Sequence, residues 1–156
     1  MRLFQHIRKE LIITGLEAKS KADALLRLTQ AFKEAGLIQD EKKLYDSVIA
    51  REKLMSTGIG KGLAVAHAAS GEMQDIAVAV AILSKELDFQ SLDQKPVKVI
   101  FMIVVNDQRT DLNLKALAGI SRMVNKTALL ERLESATHSG EVLNIVKEVE
   151  GQIPHH

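Results

Sequence analysis

The chain contains no cysteine among its 156 residues. This absence excludes disulfides, thiolate nucleophiles and cysteine-ligated zinc or iron–sulfur sites. Aromatic residues make up only 3% of the chain, so a platform on which bases stack is not expected. The 21 Lys and Arg are balanced by 20 Asp and Glu, and the net charge is +1. Because the basic excess that favours nucleic acid is missing, we expect no nucleic-acid partner.

Long hydrophobic runs are also absent. The longest apolar stretches, Ile76–Leu83 and Val99–Val105, fall well below the roughly 20 residues that a membrane helix requires. The N-terminal segment MRLFQHIRKE has no apolar core of signal-peptide length. We therefore expect a cytoplasmic protein without direct membrane insertion. A composition of 46% hydrophobic and 26% charged residues suits a single globular domain over residues 1–156.

Periodicity and capping residues indicate the first half of the fold. The apolar segment Leu11–Leu16 predicts a strand. Ser20 is placed to cap a first helix that Gly36 ends in the left-handed conformation. Asp40 is placed to cap a second helix, which ends near Arg51–Lys53. The glycine-rich stretch 56–62 predicts an irregular loop.

The second half reads as strands followed by helices. Leu63–Ala66 predicts a strand with His67 at or just beyond its end, and Ala69–Gln74 predicts a loop. Two apolar stretches indicate strands buried on both faces, and three helices follow. These elements are the strands at Asp75–Leu83 and Val97–Val105, a helix capped by Asp111, and helices at Thr127–Ala136 and Glu141–Glu150. The order β-α-α-β-β-β-α-α-α predicts an α+β fold, a three-layer α/β/α sandwich with a single mixed β-sheet.

The densest chemistry lies in Arg51–Ala69, REKLMSTGIGKGLAVAHAA. Its glycines at 58, 60 and 62 match neither the Walker loop nor the dinucleotide fingerprint. A loop of successive backbone N–H groups can still bind an anion. The hydroxyls of Ser56 and Thr57 and the guanidinium of Arg51 add donors suited to a phosphoryl group.

His67 is the candidate nucleophile, because a neutral imidazole can carry a phosphoryl group covalently. The alternative is a histidine satisfied inside the core, since its neighbours along the strand are apolar. For Arg51 and Glu52, the alternative is a surface ion pair at a helix end. The histidines at 6, 67 and 138 have no helical-spacing partner, so we expect neither a metal nor a cofactor.

The same stretch resembles the active-site signature of the enzyme IIA domains of the fructose/mannitol type. This family belongs to the phosphoenolpyruvate-dependent sugar phosphotransferase system and includes a nitrogen-regulatory branch. The resemblance extends to the downstream strand Val97–Val105 and to the helix containing Leu112–Ala118, and so covers essentially the whole chain. The residues that carry it in the signature are Arg51-Glu52, Ser56-Thr57-Gly58-Ile59-Gly60 and Gly62-Leu63-Ala64-Val65-Ala66-His67-Ala68.

The resemblance implies a phosphoryl-transfer component with a phosphohistidine intermediate. His67 would accept the phosphoryl group on Nε2 from a histidine phosphocarrier protein and pass it to a IIB domain. Arg51 would stabilise the phosphoryl oxygens and Thr57 would orient the imidazole. Four further residues are candidates for the binding site: Ser56, Gly58, Gly60 and Glu52.

The chain departs from the family pattern at two positions. Ala66 stands where the family usually has proline, and Asn113 stands where it commonly has a second histidine. An Asn side chain can donate a hydrogen bond to a phosphoryl oxygen but cannot carry positive charge. Two alternatives therefore stay open. One is a regulatory protein whose binding to a target depends on phosphorylation of His67, which the absence of an attached IIB or membrane segment favours. The other is a degenerate member without transfer activity.

Overall fold

A computed structural model of the chain describes residues 1–54 and 56–154. Met55, within the glycine-rich stretch, and the terminal His155 and His156 lie outside the described residues. The centre of the fold is one five-stranded sheet with the strand order β1-β4-β5-β3-β2. Neighbours β1 and β4, and β3 and β5, run parallel, and the other two pairs are antiparallel. The expected mixed sheet is thus confirmed. Its strands are β1 (Ile7–Leu16), β2 (Gly58–Gly60), β3 (Leu63–Ser70), β4 (Ile76–Leu87) and β5 (Val97–Asn106).

Helices cover both faces of this sheet. The first two pack on one face and the last three on the other, each layer with its own buried apolar cluster. The three-layer α+β sandwich is therefore confirmed. Within the described ranges no helix combines the length and apolarity needed to cross a membrane. The helices are a 3₁₀ turn at Leu3–His6, α1 (Lys21–Glu34), α2 (Glu41–Leu54), α3 (Thr110–Lys126), α4 (Leu129–Glu134) and α5 (Ser139–Gly151).

Most of the helix-end signals work as expected. Ser20 Oγ accepts a hydrogen bond from the Asp23 amide at 3.1 Å, and Gly36 follows α1 with φ 76°. Asp40 Oδ1 accepts from the Lys43 amide at 3.0 Å at the start of α2. The cap predicted at Asp111 is wrong. The N-cap position of α3 is Arg109, two residues earlier, and the Asp111 carboxylate instead accepts a hydrogen bond from the Arg109 guanidinium at 3.1 Å.

The glycine-rich stretch was expected to be irregular throughout, and this is wrong. Its central residues form the short strand β2, which pairs antiparallel with β3. The turn between the two strands has positive φ at Gly60 (98°), Lys61 (59°) and Gly62 (83°), a conformation that glycine adopts without steric cost. Four strands therefore separate α2 from α3 instead of three.

The strand β3 is also longer than expected, because its pairing with β5 continues to Ser70 opposite Asn106. The loop predicted to start at Ala69 therefore begins later. His67 lies inside the strand, opposite Ile103 of β5, and not at the strand end. This location fixes its backbone within the ladder, and the alternation of side chains then decides which layer the imidazole faces.

Candidate functional site

The strand β3 places the imidazole of His67 on the face of the sheet that α3, α4 and α5 cover. Leu63 and Val65 pack in the cluster of that face, whereas Ala66 and Ala68 pack in the cluster of the α1–α2 face. Because strand side chains alternate with period two, His67 shares the face of Val65. The edge strand β2 pairs with β3 only near its start. His67 therefore lies near an edge of the sheet and is only partly buried.

Arg51 reaches His67 from the last turn of α2. Its Nε donates a hydrogen bond to Nε2 of His67 at 3.1 Å. A nitrogen that accepts a hydrogen bond carries a lone pair, so the proton of the neutral imidazole lies on Nδ1. The structure thus joins the two residues that the sequence placed in the roles of phosphoryl acceptor and phosphoryl stabiliser. It also selects the ring nitrogen that carries the lone pair.

The surroundings keep this imidazole neutral. Burial lowers the pKa of His67 below its usual value of 6.5, and the positive charge of Arg51 lowers it further. Contact with the Val65 backbone and the negative charge of Glu52 act in the opposite direction and are the smaller effects. A pKa below the usual value leaves His67 deprotonated near pH 7, the form in which Nε2 can act as a nucleophile.

Glu52, which follows Arg51 on α2, is buried. Its carboxylate forms an ion pair with Lys21 Nζ at 2.7 Å. It also accepts hydrogen bonds from the Thr57 amide, at 3.1 and 2.9 Å, and from the Thr57 hydroxyl at 3.1 Å. The alternative of a surface ion pair at this helix end is therefore wrong for Glu52, whose side chain is 5% exposed.

The loop that leads into β2 is tied to the protein by its own donors. The Ser56 hydroxyl donates to the Phe89 carbonyl and accepts from the Gly58 amide at 3.1 Å. The Thr57 amide is held by Glu52. These two amides are therefore not free to bind an anion in this structure. Gly60, also expected in the binding site, lies at the end of β2 opposite Leu63.

Gly58 is a position at which a larger residue would crowd its neighbours. A Cβ built there would lie 2.1 Å from the Oγ of Ser91 and 3.2 Å from the Cβ of Phe89. Both neighbours are buried. The close approach of this backbone to the loop after β4 explains a glycine at the first position of β2, although glycine weakens strand pairing in general.

Two of the expected site residues have contacts that differ from the expectation. Among residues 1–54 and 56–154 no hydrogen bond joins Thr57 to His67, and the Thr57 hydroxyl donates to Glu52. The role of Thr57 in orienting the ring stays a prediction. Asn113 lies near the start of α3, in the layer that His67 faces. Its Oδ1 is buried and accepts no hydrogen bond from the described part of the chain. A phosphoryl contact by Asn113 also stays a prediction.

Sequence reasoning missed Lys21 and the carbonyl of Phe89. Lys21 Nζ donates to that carbonyl at 3.3 Å and lies 5.3 Å from the centre of the Phe89 ring. A lysine in the first turn of α1 gave no signal, because it opposes the helix dipole and reads as an ordinary exposed residue. Only the ion pair with Glu52 reveals why it is there.

A histidine that accepts a hydrogen bond from an arginine, on an α/β/α sandwich, defines a candidate phosphoryl-transfer domain. The family model described as "Phosphoenolpyruvate-dependent sugar phosphotransferase system, EIIA 2" matches residues 5–149. This match covers nearly the whole chain and confirms the family inferred from the signature. The chain belongs to this EIIA 2 family.

Three relatives show the range of the family. A nitrogen regulatory protein of Pseudomonas aeruginosa is 33% identical over 71% of this chain and 72% of its own length. The fructose-specific EIIABC component of Bacillus subtilis is 25% identical over 95% of the chain, which spans only 23% of that longer protein. The NMR structure of the complex of enzyme IIAMTL and phosphorylated enzyme IIBMTL from Escherichia coli matches with a TM-score of 0.74 and 18% identity. That match covers 91% of this chain and 99% of the matched chain, and it shows the shared fold.

Proposed function

We propose that this protein is a phosphotransferase-system IIA component in which His67 accepts a phosphoryl group and passes it on. The observation that supports this most directly is the hydrogen bond from Arg51 Nε to the lone pair of His67 Nε2, at 3.1 Å. It places a permanent cation beside a neutral imidazole. Membership of the EIIA 2 family supplies the reaction class.

In the proposed transfer, Nε2 of His67 attacks the phosphorus of a phosphohistidine on the donor protein. The new N–P bond forms as the donor's N–P bond breaks, and the donor nitrogen keeps that electron pair. The proton on Nδ1 of His67 stays on the ring. Because the transition state spreads negative charge over the phosphoryl oxygens, positioning and a nearby cation contribute most.

Arg51 would have two successive partners in this reaction. In the resting structure its Nε–H is bonded to the lone pair that must attack phosphorus. We therefore expect the guanidinium to leave Nε2 as the donor docks and to bond the phosphoryl oxygens instead, for which its planar set of donors is suited. Any contribution from the amides of Thr57 and Gly58 requires their bonds to Glu52 and Ser56 to be exchanged.

The test of this function is the mass of the intact protein after incubation with phosphoenolpyruvate, enzyme I and the histidine phosphocarrier. The wild type should gain one phosphoryl group, and His67→Ala should gain none. His138→Asn is a suitable control, because His138 accepts a hydrogen bond from the Glu141 amide at the start of α5 and asparagine can replace it as a cap. Labelling of His67→Ala at the wild-type level contradicts the proposal.

The acceptor after His67 is proposed to be a IIB domain. The fructose-specific relative is named an EIIABC component, and the matched complex joins a IIA protein to a phosphorylated IIB protein. Adding a purified IIB domain to phosphorylated protein should remove the added mass from this chain and place it on the IIB domain. Retention of the phosphoryl group on His67 with each IIB domain offered contradicts this step.

A regulatory role is the second candidate, favoured by the similarity to the nitrogen regulatory protein of Pseudomonas aeruginosa. In that case a target protein would bind differently to the phosphorylated and unphosphorylated forms. Capture of the same partners by both forms counts against it. The degenerate alternative, suggested by Ala66 and Asn113, is removed by the gain of one phosphoryl group at His67. For both the transfer role and the regulatory role we expect a cytoplasmic location.

A further inference from the structure

We propose that Lys21 and Glu52 form a positioning pair that sets the geometry between Arg51 and His67. The proposal rests on the phosphoryl-acceptor function of His67 proposed above. Neither residue needs to touch the phosphoryl group. They act through the loop before β2 and through the end of α2.

Glu52 connects the two elements that carry the reacting pair. Its carboxylate holds the amide and the hydroxyl of Thr57. The Thr57 carbonyl in turn accepts a hydrogen bond from the Val65 amide at 2.9 Å. Val65 lies two residues before His67 on β3, and Arg51 directly precedes Glu52 on α2. One carboxylate therefore fixes the end of α2 against the strand that presents the imidazole.

Lys21 offsets the desolvation cost of the buried Glu52 carboxylate. A carboxylate that is 5% exposed is costly without a cation, and Lys21 Nζ supplies one at 2.7 Å. The lysine is itself only 19% exposed and is held by the Phe89 carbonyl at 3.3 Å. The same carbonyl accepts a hydrogen bond from the Ser56 hydroxyl. Lys21 therefore links α1, α2 and the loop before β2 at one point.

Charge gives Lys21 a second effect on the reaction. Without it, Glu52 would present an uncompensated negative charge next to Arg51 and His67. That charge would attract the Arg51 guanidinium away from His67 and repel an incoming phosphoryl dianion. It would also raise the pKa of His67, because a nearby negative charge favours the imidazolium form.

The test compares Lys21→Met, Glu52→Gln and the double variant with the wild type. Lys42→Met is the matched control, because Lys42 forms an exposed ion pair with Asp46 at 2.9 Å on α2, the helix that carries Glu52. Two quantities are measured: the pKa of His67 from its ring NMR signals, and the initial phosphorylation rate per folded molecule. Lys21→Met should raise the pKa of His67 and slow phosphorylation by roughly tenfold to a hundredfold, as expected for a misplaced reacting pair.

Glu52→Gln and the double variant separate the effect of the Glu52 charge from the effect of its hydrogen bonds to Thr57. Glu52→Gln removes the negative charge and should lower the pKa of His67, while its amide oxygen can still accept from Thr57. The double variant removes both charges, and its pKa and rate should lie closer to the wild type than those of Lys21→Met. Lys42→Met should change neither quantity.

The proposal is overturned if Lys21→Met lowers only the melting temperature and leaves both the pKa of His67 and the rate per folded molecule unchanged. That result would make the pair a stability element. Failure of the wild type to become phosphorylated would instead overturn the proposed function. The pKa measurements need no phosphoryl donor, so the influence of the pair on His67 can be measured in either case.

Discussion

At the scale of single residues, one hydrogen bond determines the chemistry of the site. Arg51 donates to Nε2 of His67, so the nucleophilic lone pair and the cation that would stabilise the transferred group already lie together. The same contact helps to keep the imidazole neutral. Burial and the charge of Arg51 both lower the pKa of His67, with burial the larger cause. In the proposed transfer, His67 would therefore need no separate general base near pH 7.

The pH dependence of phosphorylation should follow this pKa. Protonation occupies Nε2, so the rate should fall as the pH drops through the pKa of His67, below 6.5. Arg51→Met removes the cation and should raise that pKa, moving the acid loss of labelling to higher pH while lowering the maximum rate. An NMR titration of the His67 ring measures the pKa directly. Lys53→Met, on the exposed surface near the same helix end, is the control. An unchanged or lower pKa in Arg51→Met would show that the guanidinium does not act on the ring.

The sequence was sufficient to select the proposed reacting residues but not the residues that hold them in place. Arg51 and His67 belong to a signature with fixed spacing and could be selected together. Lys21 lies on a different helix from its partner Glu52. No local sequence pattern predicts this contact, because only folding brings the two residues together. The cap at Asp111 shows the opposite failure, because the residue type was suitable but the helix α3 begins at Thr110, with Arg109 in the cap position. Local rules of this kind are weakest at element boundaries.

At the scale of elements, the long apolar strands could be predicted from the sequence, whereas the short strand that depends on its partner could not. The strands β4 and β5 each contain a long, nearly continuous apolar run, so burial on both faces could be predicted. The strand β2 is only Gly58–Gly60, and its residues have poor strand propensity. It forms because the turn at Gly60–Gly62 folds it back onto β3, which is a tertiary effect. A strand that depends on its partner in this way should be sensitive to local crowding.

Gly58→Ala tests that sensitivity. The added methyl would lie 2.1 Å from Ser91 Oγ, so we expect a loss of about 1–3 kcal/mol in unfolding free energy, measured in urea. Ser91→Ala should be neutral or stabilising, because this buried hydroxyl has no hydrogen-bond partner within the described residues. Combined with Gly58→Ala, it should recover part of the loss. Gly119→Ala, in open space within α3, should stabilise slightly. Equal destabilisation at both glycines would rule out the crowding explanation.

At the scale of the whole molecule, the two faces of the sheet are packed with side chains of different size. On β3 and β4, the face toward α1 and α2 is lined largely by alanine, and the opposite face by larger aliphatic residues. Small side chains let helices pack close to the sheet. The alanine-lined layer is the one that carries Lys21, Arg51 and Glu52. The composition of the sheet therefore supports the reach of Arg51 around the sheet edge to His67.

Substitutions at neighbouring positions of β4 can separate this effect from stability. Ala79 faces the α1–α2 layer and Val80 the other layer, and both are fully buried. Ala79→Ile should cost about 1–3 kcal/mol by overpacking. Val80→Ala should cost about 2–3 kcal/mol through two lost methyl groups and a cavity.

Similar losses of stability should have different consequences for transfer. Ala79→Ile pushes α1 and α2 outward, so the phosphorylation rate per folded molecule should fall together with the unfolding free energy. Val80→Ala should lower that rate less, because Arg51 and its supports lie in the other layer. Although His67 is on the same face as Val80, Val80 pairs with Phe101, two residues before the Ile103 that lies opposite His67. Urea unfolding and intact-mass labelling of the two variants, each corrected for the folded fraction, measure both quantities. If the two variants lost activity equally, the spacing of the α1–α2 layer would not control the site, and its alanine lining would be a matter of packing alone.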